Sequence, residues 1–270
     1  MARVAANQDT SEAERAHFVY LQHARVSSAK GKTVHCEEIT DTRVTPSDAG
    51  STQQLIKLQG RVLADHGKYV AYTDLLPGKD AAKSGTRAEH HDLTINLDGG
   101  SSGDRELVEG MRNNFMNDRS RDGIGAGLFP LTSKTQADYA FRLLGREKLN
   151  GRDVFHIVFT PKVKGEYGWK GDAYIDTTAY QPVLVHTAMA RNVPFAVRAL
   201  LGTSIPGLGF TVIYAPEPQD TPGAIWFPTS FGTEFKLKIL FFYSRQITIS
   251  AANGSFERTH VTSTVIDPRP

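Results

Sequence analysis

The sequence predicts a mainly β protein built on an antiparallel sheet, and two runs joined by Asn150-Gly151 are the clearest evidence. Asn-Gly tolerates positive φ at both positions, which suits the type I′ turn of a tight hairpin. Apolar residues on either side recur with the period of two that a strand requires. They are Tyr139, Phe141, Leu143, Phe155, Ile157 and Phe159. Both faces of these strands are partly apolar, so we expect a second layer to cover the sheet and to form a cavity or a lid.

Length and composition describe one ordinary globular domain. The chain has 270 residues, of which 40% are hydrophobic and 22% charged, and its formal net charge is +2. Because all-β folds often reach this length as one unit, we expect a single domain over residues 1–270. The small net charge does not favour nucleic acid as a partner. No run of about 18 apolar residues could cross a bilayer, and the first ten residues lack the apolar core of a secretory signal.

The first quarter of the chain predicts a short helix followed by a β-meander. Ser11 and Glu14 match a capping box, so a helix is expected to begin there. Alternation starts at residue 17, and Gly31 lies in the loop of a predicted hairpin. We therefore place the first β-meander at residues 17–63.

Between residues 65 and 131 the alternation fades, and we expect a helical and loop insert that serves as a lid. The segment from Asp104 to Asn117 carries one apolar stripe, with Asp104 near the helix N-cap. The stripe consists of Leu107, Met111, Phe115 and Met116.

The main antiparallel sheet is expected over residues 135–266. Strand patterns occur at 210–214, at 224–232 and from Glu234 onwards, where the alternation is clearest. Asn253-Gly254 predicts a turn into the last strand. Residues 193–209 are apolar without a period, which fits either a short helix over the sheet or a buried loop.

Four groups of reactive side chains could carry chemistry, and each has a structural interpretation that we favour. Neighbours on a strand point to opposite faces, so His35 and Cys36 should be a solvated imidazole and a buried thiol. Asp172 and Asp176 lie about 13 Å apart along a strand, too far for a glycosidase pair, and Asp176 should stabilise the turn that follows it. The group His90-His91-Asp92 does not complete a metal site. The group Gly202-Thr203-Ser204 does not form the nucleophile elbow of a hydrolase. We expect no enzyme, no metal and no cofactor.

Large apolar residues in loops and at strand ends are the stronger signal. Two interpretations remain open, because these residues either fill the interior or line a pocket for an apolar ligand. The candidate lining residues are Phe141, Phe155, Ile157, Trp169, Phe195, Leu200, Leu201, Leu208, Phe210 and Trp226.

Short motifs between Tyr139 and Val185 carry a family resemblance. They read Tyr-x-Phe-x-Leu-x-Gly-Arg-Glu, Asn-Gly-Arg, Trp-Lys-Gly-x-Ala-x-Ile-Asp and Tyr-Gln-Pro-Val. Together they resemble the LolA-like outer-membrane lipoprotein-sorting superfamily, in particular its poorly characterised bacterial branch. The resemblance implies an antiparallel half-open β-barrel with helices and loops covering its concave face. It also implies a location in the periplasm or cell envelope and binding of lipid acyl chains or lipidated proteins, without catalysis.

Two functional hypotheses follow from the resemblance and the residues. The first is a carrier or sensor that holds a lipid or a lipidated protein in the half-barrel. The alternative is a structural or protein-interaction module, with an envelope protein as partner, that uses exposed strand edges and no small-molecule ligand. A hydrolase or metal enzyme is the least favoured.

Overall fold

The structure is a computed structural model, and it describes ten segments of the chain. They are residues 1–47, 50–64, 67–74, 101–115, 130–163, 169–189, 203–204, 208–218, 223–239 and 243–259. The helices in these segments are α1 (Ala2–Arg15), α2 (Ser101–Phe115) and α3 (Ser133–Gln136). The strands are β1 (Phe18–Lys30), β2 (Thr33–Ser47), β3 (Gly50–Leu63), β4 (Tyr69–Tyr72), β5 (Tyr139–Leu149), β6 (Arg152–Pro161), β7 (Trp169–Asp176), β8 (Pro182–Met189), β9 (Thr203–Ser204), β10 (Gly209–Glu217), β11 (Ile225–Ile239) and β12 (Tyr243–Arg258).

All of these strands belong to one open, curled antiparallel sheet. Its order is β4-β3-β2-β1-β12-β11-β10-β8-β7-β6-β5, and the short β9 pairs with β11. The first and last of these strands are neighbours in the sheet, where β1 pairs with β12 from Phe18↔Arg258 to Ala29↔Gln246. Among the described strands the sheet does not close, and β4 and β5 are its edges. The predicted mainly β, antiparallel, half-open fold with a few helices is confirmed.

The hairpin predicted around Asn150-Gly151 is present. The two residues join β5 to β6 with φ of 50° and 82°, the positive values that a type I′ turn requires. The second Asn-Gly prediction is wrong. Asn253 and Gly254 lie within β12, where the register with β1 shifts by a residue. Asn253 is held there by distant partners, since its Nδ2 donates to the carbonyl oxygen of Pro228 at 2.9 Å.

The predicted start of α1 is also wrong, because the helix begins at Ala2 rather than at Ser11. Ser11 is buried within the helix, and its Oγ accepts a hydrogen bond from Nε2 of Gln181 at 2.8 Å. One buried face runs along α1 at the helical spacing of three to four residues and comprises Val4, Ala5, Gln8, Ser11 and Arg15. Docking of this face on the sheet therefore sets the extent of the helix.

The face of the sheet on which α1 and α2 pack is called the inner face below. Buried residues form two apolar clusters on this face. One cluster joins α1 to β6, β7, β8, β10 and β11, and the other joins α2 to β1, β2, β3, β11 and β12. Leu208 packs against both clusters. Most of the core therefore lies between the sheet and its helices, and Phe227, which packs on Phe18 and Phe256, is buried outside both clusters.

Candidate functional site

The candidate site is the apolar wall, which we define as the inner-face cluster around β6, β7, β8, β10 and β11. Its largest buried members are Ile157, Phe159, Trp169, Phe210, Tyr214, Trp226 and Phe231. The ten lining residues predicted from the sequence include four of its buried members, namely Ile157, Trp169, Phe210 and Trp226. Three more, Phe141, Phe155 and Leu208, are half-buried and pack against it. The last three, Phe195, Leu200 and Leu201, lie outside the described residues.

Aromatic rings run across the apolar wall from strand to strand. Trp169 meets Phe210 edge to face at 5.0 Å between ring centroids, and Phe210 meets Phe231 at 5.5 Å. Nearer the β5 edge, Phe141 lies 6.4 Å from Phe159. These separations are in the range where aromatic pairs attract one another. The rings therefore form an ordered apolar surface that extends from β5 to β11.

The rim of the apolar wall is only half-buried. Five side chains at this rim pack against the buried cluster while keeping part of their surface exposed, namely Tyr139, Phe141, Phe155, Met189 and Leu208. Apolar surface that is still wet gains free energy when a ligand covers it, at roughly 25 cal/mol per Å². The rim is thus the part of the wall that an apolar ligand would reach first.

Polar contacts fix α1 at one end of the apolar wall. The buried Arg15 donates from Nη1 to the carbonyl oxygen of Trp226 at 2.9 Å. Asn7 donates from Nδ2 to the carbonyl oxygen of Ala179, in the β7–β8 turn, at 2.8 Å. A cavity of about 410 Å³ opens beside α1, but polar groups line much of it and Glu14 pairs with Arg258 across it at 3.1 Å. This cavity does not match the chemistry of an acyl chain.

Buried ionic contacts hold α2 on the other half of the inner face. Asp104 accepts two hydrogen bonds from the Arg245 guanidinium, both at 2.7 Å, and one from Ser28 Oγ at 2.7 Å. Glu38 accepts from Nη1 of Arg112 at 2.8 Å. We call Asp104, Arg245, Glu38 and Arg112 the α2 latch. Each of its two pairs joins α2 to a different strand, so the latch ties the helix down at two places.

Burial and charge shift the pKa values of the α2 latch in opposite directions. Burial alone would raise the pKa of Asp104, but the hydrogen bonds from Arg245 and Ser28 outweigh it and lower that pKa below its ordinary value. Burial raises the pKa of Glu38, because the attraction of Arg112 compensates only in part. The carboxylate of Glu38 is therefore the less favourable of the two buried charges.

Cys36 and His35 both turn towards α2, so the prediction of a solvated His35 is wrong. His35 Nδ1 lies 3.4 Å from Asp104 Oδ2, and its side chain is only 26% exposed. The cause is a β-bulge, since Ser28 pairs with Cys36 while the next residue of β1 pairs with Val34. A bulge places two successive side chains towards one face, which alternation in the sequence does not reveal.

The thiol of Cys36 is buried, as predicted. Its Sγ lies 3.3 Å from the hydroxyl of Tyr72, and that hydroxyl donates to Glu38 Oε1 at 2.9 Å. Burial raises the pKa of Cys36 to about 12, with a smaller contribution from the Glu38 charge. A thiol with this pKa is almost wholly protonated at neutral pH and is a poor nucleophile.

The other sequence-predicted polar groups have structural partners. Asp176 Oδ1 accepts from the backbone N–H groups of Thr178 and Ala179 at 2.9 and 2.8 Å, which confirms its predicted role in the turn. Asp172 instead meets Nε2 of His156 at 2.8 Å. Within the described residues, no three His, Cys, Asp or Glu side chains form a group that could hold a metal. His90-His91-Asp92 and Gly202 lie outside them.

Comparisons with known proteins find likeness among solved structures. No protein-family model and no curated protein matches the chain. A putative outer membrane lipoprotein-sorting protein domain from Vibrio parahaemolyticus is 12% identical, with 96% of this chain and 93% of that chain covered and a TM-score of 0.41. A DUF1329 family protein from Desulfovibrio piger is 12% identical, with 96% and 92% covered and a TM-score of 0.39. A LolA superfamily protein from Nitrosomonas europaea is 10% identical, with 95% and 94% covered and a TM-score of 0.36.

These descriptions include the superfamily that the sequence motifs resemble. Among the residues that the structure describes, no helix has the length and apolar character needed to cross a membrane.

Proposed function

We propose that this protein is a non-catalytic carrier or sensor of the cell envelope that holds a lipid acyl chain, free or on a lipoprotein, against the apolar wall. One observation carries the proposal. Seven large apolar residues, predicted from the sequence as lining candidates, come together on the inner face of an open sheet, and three of them remain half-buried at its rim. The superfamily resemblance supports the same ligand class and the envelope location.

The apolar wall offers the kind of interaction that an acyl chain needs. Each methylene moved from water to an apolar surface gains about 0.8 kcal/mol, so a sixteen-carbon chain gains roughly 13 kcal/mol. Association costs at least about 4 kcal/mol, which leaves no more than roughly 9 kcal/mol and a Kd of about 0.3 μM or weaker. Such affinity suits a carrier, because the ligand must also leave.

The experiment is a chain-length series with delipidated full-length protein. Saturated fatty acids of about 8 to 16 carbons are titrated by calorimetry. Each added methylene should strengthen binding about four-fold while the chain stays on the wall. Native mass spectrometry of the protein before delipidation should show bound lipid.

Matched variants distinguish binding at the apolar wall from nonspecific hydrophobic binding. Leu208→Ser, on the half-buried rim, should weaken binding, whereas Ile213→Ser, at an apolar side chain 40% exposed on β10, should not. Circular dichroism checks that both variants are folded. Uptake that does not depend on chain length, or equal effects of the two substitutions, would remove the proposal.

A further inference from the structure

The outer edge of β5 is the longest free strand edge that the described residues contain. β5 is the last strand of the sheet and is 11 residues long, while the other edge strand, β4, has four. An edge strand presents a row of backbone N–H and C=O groups that can pair with another chain. Most residues of β5 are also exposed, so no side chain covers the whole edge.

Two adjacent leucines make this edge apolar at its middle. Leu143 is 58% exposed and Leu144 is 45% exposed. A bulge accounts for their position, because Leu143 pairs with Ile157 and Gly145 with the preceding residue of β6, so that Leu144 has no cross-strand partner. A single exposed leucine needs no explanation. Two together at a free strand edge form a contact surface for the side chains of an added strand.

The charges along β5 select the kind of strand that can be added. Three cations, Arg142, Arg146 and Lys148, stand against one carboxylate, Glu147, so the edge carries a net charge of +2. Glu147 already meets Nδ1 of His156 at 3.1 Å, Lys148 meets Oδ1 of Asp153 at 3.9 Å, and Arg146 lies over the Phe155 ring. Two copies of this edge would each carry this net positive charge, which disfavours their association. An acidic strand would meet the opposite charge.

We propose that the β5 edge binds an extended acidic segment of a partner polypeptide, which joins the sheet as an additional strand. Backbone hydrogen bonds to β5 hold the segment, as in β-augmentation. Apolar residues at alternate positions of the segment pack on Leu143 and Leu144, and the acidic residues between them, on the opposite face, pair with Arg142, which lies across from Val158. The edge borders the apolar wall, because Leu143 pairs with Ile157, but the backbone groups that bind the segment point away from the wall, and the proposal does not depend on lipid binding.

The test is fluorescence anisotropy with the full chain and a labelled peptide of about eight residues in which glutamate alternates with valine. Saturable binding is expected, and it should weaken as salt is raised from about 0.05 to 0.5 M because the charges are exposed. Arg142→Glu should weaken binding about three-fold or more, since one attraction becomes a repulsion.

Matched controls lie on interior strands of the same sheet. Lys236→Glu reverses one exposed charge on β11 and should leave the affinity unchanged. Leu143→Ser with Leu144→Ser should weaken binding, whereas Ile213→Ser should not. Hydrogen exchange should show slower exchange of β5 amides when the peptide is bound.

Several outcomes would overturn the proposal. One is tight binding of a peptide in which lysine replaces glutamate, because charge pairing would then not matter. Another is tight binding of the acidic peptide with alternate amides N-methylated, because strand hydrogen bonding would then not matter. Another is unchanged affinity in the edge variants. Absence of binding at about 1 mM protein would also refute it. Self-association of the chain that the leucine substitutions abolish would assign the edge to a second copy instead.

Discussion

The pair of Glu38 on β2 and Arg112 on α2 allows a quantitative test of how the helix is held. Their side chains are 0% and 6% exposed, and Arg112 Nη1 lies 2.8 Å from Glu38 Oε2. Arg112→Met keeps the length of the side chain but removes the cation. The Glu38 carboxylate then stays buried without its main counter-charge, which costs about 3–5 kcal/mol. We expect this loss in the free energy of unfolding at pH 7, measured by urea denaturation.

The loss should depend on pH. The folded-state pKa of Glu38 is already raised by burial, and removal of Arg112 takes away the attraction that opposes the rise. A raised folded-state pKa stabilises the fold below the unfolded pKa, and this contribution is lost as pH rises through the folded pKa. Arg112→Met should therefore be less destabilising near pH 5 than near pH 8.

The double variant Glu38→Gln with Arg112→Met gives the decisive comparison. With both charges removed, stability should return to within about 1–2 kcal/mol of the wild type, because neither side chain is then an unpaired buried ion. Arg25→Met is the control, since Arg25 is 53% exposed and its partner Glu37 also pairs with Arg61. It should cost less than about 1 kcal/mol.

Two results would refute this reasoning. The first is an Arg112→Met variant no less stable than Arg25→Met. The second is a double variant whose loss equals the sum of the two single losses, since the two side chains would then act independently.

Three further predictions concern the latch, the thiol and the sheet. Asp104→Asn should lower the free energy of unfolding by about 3 kcal/mol at pH 7, because it leaves the buried Arg245 without its counter-charge. Since the folded-state pKa of Asp104 is lowered, the difference from the wild type should shrink as pH falls below about 4. Urea denaturation at several pH values measures both effects. Cys36 should react slowly with a thiol reagent at pH 8 in the folded protein, and faster in Asp104→Asn, if α2 covers it; equal rates would contradict that cover. Gly171→Ala should lower the thermal midpoint, because a Cβ there would overlap the backbone of β8. Gly232→Ala is the control and should be tolerated, because the atom nearest to its Cβ is 4.0 Å away. Equal midpoints of the two variants would contradict this packing.

Much of the fold could be predicted because its signals are local. Asn150-Gly151 and the alternation around it describe a hairpin whose partners are neighbours in sequence. The second Asn-Gly pair shows the limit, since Asn253 is fixed by Pro228 on β11, and tertiary contacts of this kind override turn preference. The prediction of where α1 begins is wrong for the same reason, because a buried face of the helix, and not a capping residue, sets its extent.

The candidate site could be predicted in part. Large apolar residues outside clear strand patterns pointed to the apolar wall, but the α2 latch was missed. Asp104 and Arg245 are 141 positions apart, so no periodicity joins them. One signal was available in the sequence. Arg112 is next to Met111 of the apolar stripe of α2, and Glu38 lies two positions after the buried Cys36, on the same face of the strand. Charged residues at positions that a pattern marks as buried indicate an ion pair.

The central claim, that the apolar wall binds an acyl chain, is tested most directly by tryptophan fluorescence. Trp169 and Trp226 are the protein's two tryptophans, and both belong to the wall. In Trp226→Phe, the emission comes from Trp169 alone, and a fatty acid brominated along its chain quenches only rings that it contacts closely. Binding at the wall predicts saturable quenching with the Kd found by calorimetry. Unquenched emission from the folded variant at saturating fatty acid would contradict it.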